Sequence, residues 1–383
     1  MKIFIKIIIF FYTTFIFNIP NLQAIEKIKI GLLVPMTGKD SQIGKSIVKA
    51  IRLAVNKIDN SSIEIVPKDT KSNPEITLKS AKELNNEGIK IVIGPVFNKN
   101  LVHLSEMEDM IFLSLTNKVI NNPNNIISSG INSTSQFKTI SKFQKIKELN
   151  KTIILIPKEK YMEEIEVGIK QSKIQSNRVY YYDSEPTMLT KQIEKITQYK
   201  IRKQNLEDEI TRVENSDQNN KKQLIENLKK KDTLGNIKFD SLIIADFDES
   251  LKSIITSLLY TDVLPRNIYF LTLNQWFDQS LLKEESFQPI YFPSINKENY
   301  EIFISNYFEK FKEYPNQLSF LSYDLVGLVY YLIVKNNFIV DKKIFLEKNT
   351  FKGKVGIFEV KDNKINHILN LYKIENKEFK KIF

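Results

Sequence analysis

From residue 28 onward, short apolar runs alternate with amphipathic segments, and this alternation constrains the fold more than any other feature of the chain. The runs "IKIGLLV" (28–34), "IEIVP" (63–67), "IKIVIG" (89–94) and "MIFLSL" (110–115) read as strands. Between them lie "IGKSIVKAIRLAVNKI" (43–58), "PEITLKSAKELNNEG" (74–88) and a shorter helical stretch near "LVHLSEMED" (101–109). In the first of these Ile43, Ile47, Ile51, Ala54, Val55 and Ile58 recur at spacings of three and four, which gathers them on one helix face. The second opens on Asn73-Pro74, a cap followed by a first-turn proline, and stops at Gly88. Strands separated by helices return in the same direction, so the expected product is a doubly wound parallel sheet.

A second series repeats the pattern: "TIILIP" (152–157), a helix around "MEEIEVGIKQS" (162–172), "RVYYYD" (178–183), a long helical zone, "FDSLIIADF" (239–247), "ESLKSIITSLL" (249–259) and "NIYFLTL" (267–273). Two successive open α/β sheets imply two lobes. Ligands of such sheets bind beyond the carboxyl ends of the strands, so a cleft between facing lobes is the expected site. We expect lobe 1 to hold residues 25–148 and 293–362, and lobe 2 to hold 149–292 and 363–383.

Residues 191–236 interrupt the second series with a strongly charged, helix-favouring segment. Leu206, Ile210 and Val213 form one short apolar stripe and Leu224 and Leu228 another, on either side of the polar break "NSDQNN" (215–220). That is the pattern of a helical hairpin, and we place the insertion at 191–235. The composition fits a solvated surface insertion and a protein-docking arm equally well.

The first 24 residues, "MKIFIKIIIFFYTTFIFNIPNLQA", have Lys2 and Lys6 ahead of an apolar run, then Pro20 and a small residue at Ala24. We expect a secretory signal peptide over 1–24, cleaved near Ala24, and no later apolar stretch long enough for a membrane span. Cysteine is absent, which excludes a disulfide framework, a thiol nucleophile and a cysteine-linked lipid anchor. The two histidines, His103 and His367, lie far apart, and no metal or other cofactor is expected. A net charge of +11 comes from scattered lysines rather than one basic stripe, so nucleic acid is not an expected partner. "TGKDSQIGKS" (37–46) is a near miss to a phosphate-binding loop: Gly38 and Gly44 are separated by five residues instead of four, with Lys39 in the first glycine's place. No nucleophile elbow and no histidine beside an acidic motif is present, so we expect a protein that is not an enzyme.

The stretches "IGLLVPMTGKDSQIGKSIVKAIRLAVN", "ELNNEGIKIVIGPVF", "IFLSLTN" and "SFLSYDLVGLVYYL", in this order, resemble the type I periplasmic binding proteins, particularly the leucine/isoleucine/valine-binding group. A narrower resemblance, carried by "YKIRKQNLEDE", "DTLGNIKFDSLIIADF", "NQWFDQSLL" and "FKGKVGIFEV", is to the penicillin-binding protein activators that use the same fold. The resemblance implies a periplasmic, non-catalytic protein. Its partner would be a peptidoglycan synthase (a penicillin-binding protein) or, in the alternative reading, the permease of an amino-acid ABC transporter, with a small polar ligand such as an amino acid. It also implies ligand-binding residues at the strand ends: Phe97 and Asn98, Ser114 and Thr116, Tyr161, Phe247 and Asn274. A bound amino acid needs an acid for its ammonium group. The acid the family places after "YFLTL" is missing here, and Asp246 is the candidate to replace it.

Overall fold

A computed structural model describes residues 27–58, 63–159 and 161–383. The signal-peptide expectation at 1–24 lies outside the described residues. The chain forms two parallel-dominated sheets with helices on their faces, the two-lobed fold expected of a type I periplasmic binding protein.

In the first sheet β1 (Ile28–Val34) lies between β2 (Ile63–Asp69) and β3 (Ile91–Ile93), followed by β4 (Ile111–Ser114) and β5 (Ile126–Ser128), all parallel. Side chains alternate across β1. Ile30, Leu32 and Val34 pack in the core that also holds α1 (Ser41–Ile58), whereas Leu33 faces the opposite layer with α2 (Pro74–Asn86). Gly31 has no side chain to spare: a Cβ there would meet Leu84 Cδ1 at 2.8 Å, so its absence lets α2 close on the sheet. Asn73 caps α2 by accepting the Ile76 N–H at 2.9 Å. The stretch at 101–109 forms 3-10 turns, Asn98–Leu101 and Leu104–Glu106, not an α-helix. Its buried Leu101, Leu104, Met107 and Met110 repeat every three residues, the period of a 3-10 turn.

The second sheet orders β6 (Thr152–Pro157) between β7 (Arg178–Tyr182) and β8 (Ser241–Ile244), then β9 (Tyr269–Thr272) and β10 (Ile290–Ser294), again parallel. The chain crosses from the first sheet to the second through 129–132, into α3 (Ser133–Lys147) and α4 (Met162–Ser172). It returns after β10 at 295–296, where α9 (Lys297–Phe311) and α10 (Gln317–Lys335) pack against α1. Among the described residues α10 is long and apolar enough to cross a membrane, contrary to the sequence expectation. It is a core helix here, with Phe320, Leu328 and Val329 fully buried. Antiparallel strands complete both sheets: β11 (Asn349–Lys352), β12 (Ile357–Lys361) and β13 (Lys364–Ile368) extend the first, β14 (Asn370–Glu375) and β15 (Glu378–Lys381) the second. The third crossing therefore falls at Leu369, and β10 belongs to the second sheet.

Two crossings are tied to each other. Asn132 Nδ2 donates to Ile365 O at 2.8 Å, the His367 N–H donates to Ser135 Oγ at 2.9 Å, and His367 Nε2 lies 3.1 Å from Ser129 O. Burial lowers the His367 pKa to about 4, so the ring stays neutral in this hinge.

Helices α5 (Pro186–Ile196), α6 (Tyr199–Glu214) and α7 (Lys221–Lys229) occupy the charged segment. The apolar side of α5 is part of the lobe: Leu189 and Ile193 are buried and the helix packs on α8 (Asp248–Tyr260). The projecting hairpin is α6 and α7. Its root is Arg202, 4% exposed, at the point where the C-terminal ends of α5 and α8 converge. The guanidinium donates to Thr197 O at 3.0 Å, Thr233 Oγ1 at 2.9 Å and Thr261 O, so one cation caps two helix C-termini. Leu206 and Val213 are also buried, whereas no residue of α7 is.

Candidate functional site

The Gly44-Lys45-Ser46 stretch opens no ligand site. Gly44 lies against the loop before α1, where a Cβ would approach Pro35 O to 1.9 Å. The Ser46 hydroxyl accepts the Asn316 N–H at 2.7 Å and lies 2.7 Å from Ser319 Oγ. Ser46 is a buried link between α1 and α10, and a phosphate has no access to it.

The main cavity lies between the lobes at the strand ends, with a volume of about 1170 Å³. Phe97, Asn98 and Thr116 line it from lobe 1, and Phe247 and Asn274 from lobe 2, so the structure brings five of the eight expected residues to one cleft. The other three expected residues do not line this cavity. Ser114 is fully buried; its hydroxyl donates to Pro95 O at 2.7 Å and accepts the Thr116 N–H at 3.3 Å, which shapes the loop from behind. Tyr161, partly exposed, and Asp246, buried, are not among the lining residues either. Asp246 accepts from Tyr182 Oη at 2.5 Å, Tyr161 Oη at 3.0 Å and the Phe247 N–H at 2.8 Å. Burial pushes the Asp246 pKa up while these donors pull it down, and both tyrosines are held far above their ordinary value, by burial first and then by the carboxylate. These three donors tie Asp246 to the lobe 2 wall.

Several cleft-lining polar groups serve the protein itself. Thr116 Oγ1 accepts the Lys118 N–H at 3.1 Å, and Asn98 Nδ2 donates to Asn122 Oδ1 at 3.1 Å. Gln136, which carries no signal in the sequence, accepts the Asn274 N–H at 2.7 Å. Asn274 Oδ1 accepts the Trp276 N–H at 3.0 Å and Ser294 Oγ at 2.8 Å, closing a turn that the sequence signals only as a short Asn-Gln pair.

That turn carries Trp276 and Phe277, both with left-handed backbone at φ 48° and 57°. Bulky residues avoid this region at a cost of about 1–3 kcal/mol each, so the surrounding packing must impose it. Phe277 is buried among Phe292, Tyr372 and Phe379, with ring centroids at 5.9, 4.9 and 5.5 Å. Trp276, anchored by that neighbour, lies half-buried at the cleft 6.3 Å from the Tyr300 ring of lobe 1.

A second bridge between lobes lies beside the cleft. The Glu164 carboxylate, in the first turn of α4, accepts the Val119 N–H at 3.0 Å and the Ile120 N–H at 3.1 Å from the loop between β4 and β5. Sequence alone gave no sign of it, because a single Glu in an acidic first turn is ordinary helix chemistry.

Residues 27–138 match the sequence profile of the family described as periplasmic binding protein. No curated protein sequence matches the chain. Among solved structures the chain is similar to the C-domain of LpoA (YraM) from Haemophilus influenzae, a regulator of PBP1A. The identity is 14% and the TM-score 0.59, over 93% of this chain and all of that one. It spans 60% of full-length LpoA. It is also similar to a putative branched-chain amino acid ABC transporter protein from Rhodospirillum rubrum, at 12% identity and TM-score 0.68 over 93% of this chain and 100% of the other. LivJ from Streptococcus pneumoniae, solved with isoleucine, aligns at 15% identity and TM-score 0.54, over 93% and 99%. Likeness at such identities establishes the architecture: the chain has the type I periplasmic binding protein fold.

Proposed function

We propose that this is a non-catalytic protein of the periplasm that regulates a peptidoglycan synthase, with the α6–α7 hairpin as its docking arm. The observation that carries this reading is the hairpin's construction. One end is fixed to lobe 2 by a buried Arg202 serving two helix ends, while α7 leaves every residue at least partly accessible. An idle surface loop requires no such anchor, and burying a guanidinium costs several kcal/mol before its hydrogen bonds offset it. The enclosure of Asp246 by Tyr161, Tyr182 and the Phe247 N–H supports the same reading, since that acid is not among the described residues lining the cleft. The similarity to the LpoA C-domain agrees with it.

The second reading, a substrate-binding protein of an ABC transporter, is favoured by the open cleft and by the TM-score of 0.68 to the Rhodospirillum rubrum protein. The test replaces residues 207–231 with a short glycine linker, sparing Arg202 and Thr233. Capture of purified penicillin-binding synthases is then compared for intact and shortened protein, alongside calorimetry with free amino acids. Synthase capture that depends on the hairpin supports regulation. Tight amino-acid binding with no capture by the intact protein refutes it and promotes the carrier.

A further inference from the structure

The cleft has a recognisable ligand chemistry that differs from that of an amino-acid site, and it does not depend on the docking arm. Its centre is an aromatic and amide surface. Trp276, Tyr300 and Phe247 line it together with Asn274 and Gln275. Tyr300, Asn274 and Gln275 are 7%, 5% and 7% exposed, yet the Tyr300 hydroxyl, Asn274 Nδ2 and Gln275 Oε1 make no hydrogen bond among the described residues. None of these atoms is sealed in the interior either, and all three residues line the cleft, where such groups are neutral donors and acceptors. The charges nearby are committed or peripheral. Lys297 pairs with Glu301, and Asp278 accepts from Ser280 through both its N–H and its hydroxyl. Asp248 is exposed and Lys118 half-exposed, so both stay hydrated at the rim.

Neutral donors and acceptors surrounding an indole suit a ligand with hydroxyls at its edge and an apolar ring face. Water already solvates a zwitterion better than such a surface could. The volume of about 1170 Å³ lies above the roughly 300–1000 Å³ usual for sites of drug-sized ligands, leaving room for more than one ring. The strained Trp276-Phe277 turn explains the presentation: Phe277 is clamped in the core, and the backbone between the two residues turns the indole toward the cleft. We propose that the interlobe cleft binds a neutral oligosaccharide, with Trp276 as the stacking platform and Asn274, Gln275 and Tyr300 as hydrogen-bonding partners of its hydroxyls.

Trp276 is the only tryptophan in the chain, so intrinsic tryptophan fluorescence reports this site directly. The full-length exported protein is titrated with chitotriose, cellotriose and maltotriose, with leucine as the zwitterionic comparison, and calorimetry is run in parallel. A saturable change in emission with at least one trisaccharide, and none with leucine, is the expected result. By calorimetry Trp276→Ala then weakens binding by about tenfold or more, while Trp276→Phe, which keeps a ring, stays close to wild type. Thermal melting verifies that both variants are folded. No signal from any of the three saccharides at millimolar concentration overturns the proposal, as does a saturable response to leucine. The wild-type titration alone separates these outcomes, even if Trp276→Ala does not fold.

Discussion

Replacing Arg202 by methionine tests whether the hairpin is anchored at one point or woven into lobe 2. The substitution keeps most of the side-chain volume and removes the charge and three donors, leaving Thr197 O and Thr261 O, both at helix C-termini, without their partner. Each buried acceptor so abandoned costs about 1–3 kcal/mol, and breaking a buried charged network typically costs about 3–5 kcal/mol in all. Burial of Leu206 and Val213 contributes about 1.5–3 kcal/mol apiece to docking, so Arg202 accounts for roughly half of what holds the hairpin down. We therefore expect local loosening. Amide hydrogen exchange in α6 and α7 should accelerate by about 10²–10³-fold, the equivalent of 3–4 kcal/mol, while amides of β6, β8 and β9 keep their protection. Synthase capture should fall with the loss of the arm's fixed orientation. Unchanged exchange in α6 would refute the anchoring argument. Loss of protection throughout lobe 2 would refute it differently, by showing Arg202 to be part of the lobe's core.

Asp324, buried in α10, accepts the Lys354 and Val355 N–H groups at 2.9 and 2.7 Å, and burial raises its pKa from 3.8 to about 6. Between those values the native state binds more protons than the unfolded chain, so this group's contribution improves as pH falls from above 6 to below 4. The stability difference between wild type and Asp324→Asn should shift by about 3 kcal/mol in favour of wild type across that window. Urea unfolding at both ends measures it, and a pH-independent difference would contradict the assignment. Glu164→Gln keeps one acceptor but loses the charge that serves Val119 and Ile120, weakening the bridge between lobes by about 1–2 kcal/mol. Small-angle scattering should then show a more extended average shape, and an unchanged profile would mean that the bridge does not hold the lobes.

Strand and helix periodicity made the parallel part of both lobes readable, because each element there is defined by its own apolar spacing. The Asn73 cap and the Gly88 stop fall at the ends of α2 for the local reasons that make such residues legible. What could not be read was set by partners distant in sequence. The antiparallel strands after 349 are short, and their pairing depends on crossings that no local pattern encodes. Site residues divided along the same line. Thr116 and Phe247 reach the cleft because strand ends converge there, whereas Asp246 lies outside the cavity lining, tied to two tyrosines from other elements that no local pattern links to it. The presentation of Trp276 results from a left-handed turn at residues that ordinarily avoid one, which no local pattern signals.

The contacts between lobes bear on how such a cleft would work. In a carrier that closes around its ligand, the ligand supplies much of the free energy joining the lobes, and closure reports occupancy. Here protein groups already join them: Glu164 to the 119–120 backbone, Trp276 to Tyr300, and Lys364 Nζ to Gln171 Oε1 at 2.7 Å. A ligand can shift an equilibrium only by its differential affinity for the two states, so a conformation already held by the protein's own contacts leaves a ligand less to change. That suits a surface which must keep one shape for a protein partner. It fits poorly with a cycle that must capture and release cargo. Arg202 roots the hairpin on lobe 2, so under the proposed function the arm's orientation toward a partner follows lobe 2. Cleft occupancy would reach the partner only by rotating lobe 1 against lobe 2, and that rotation must first break the Glu164 bridge.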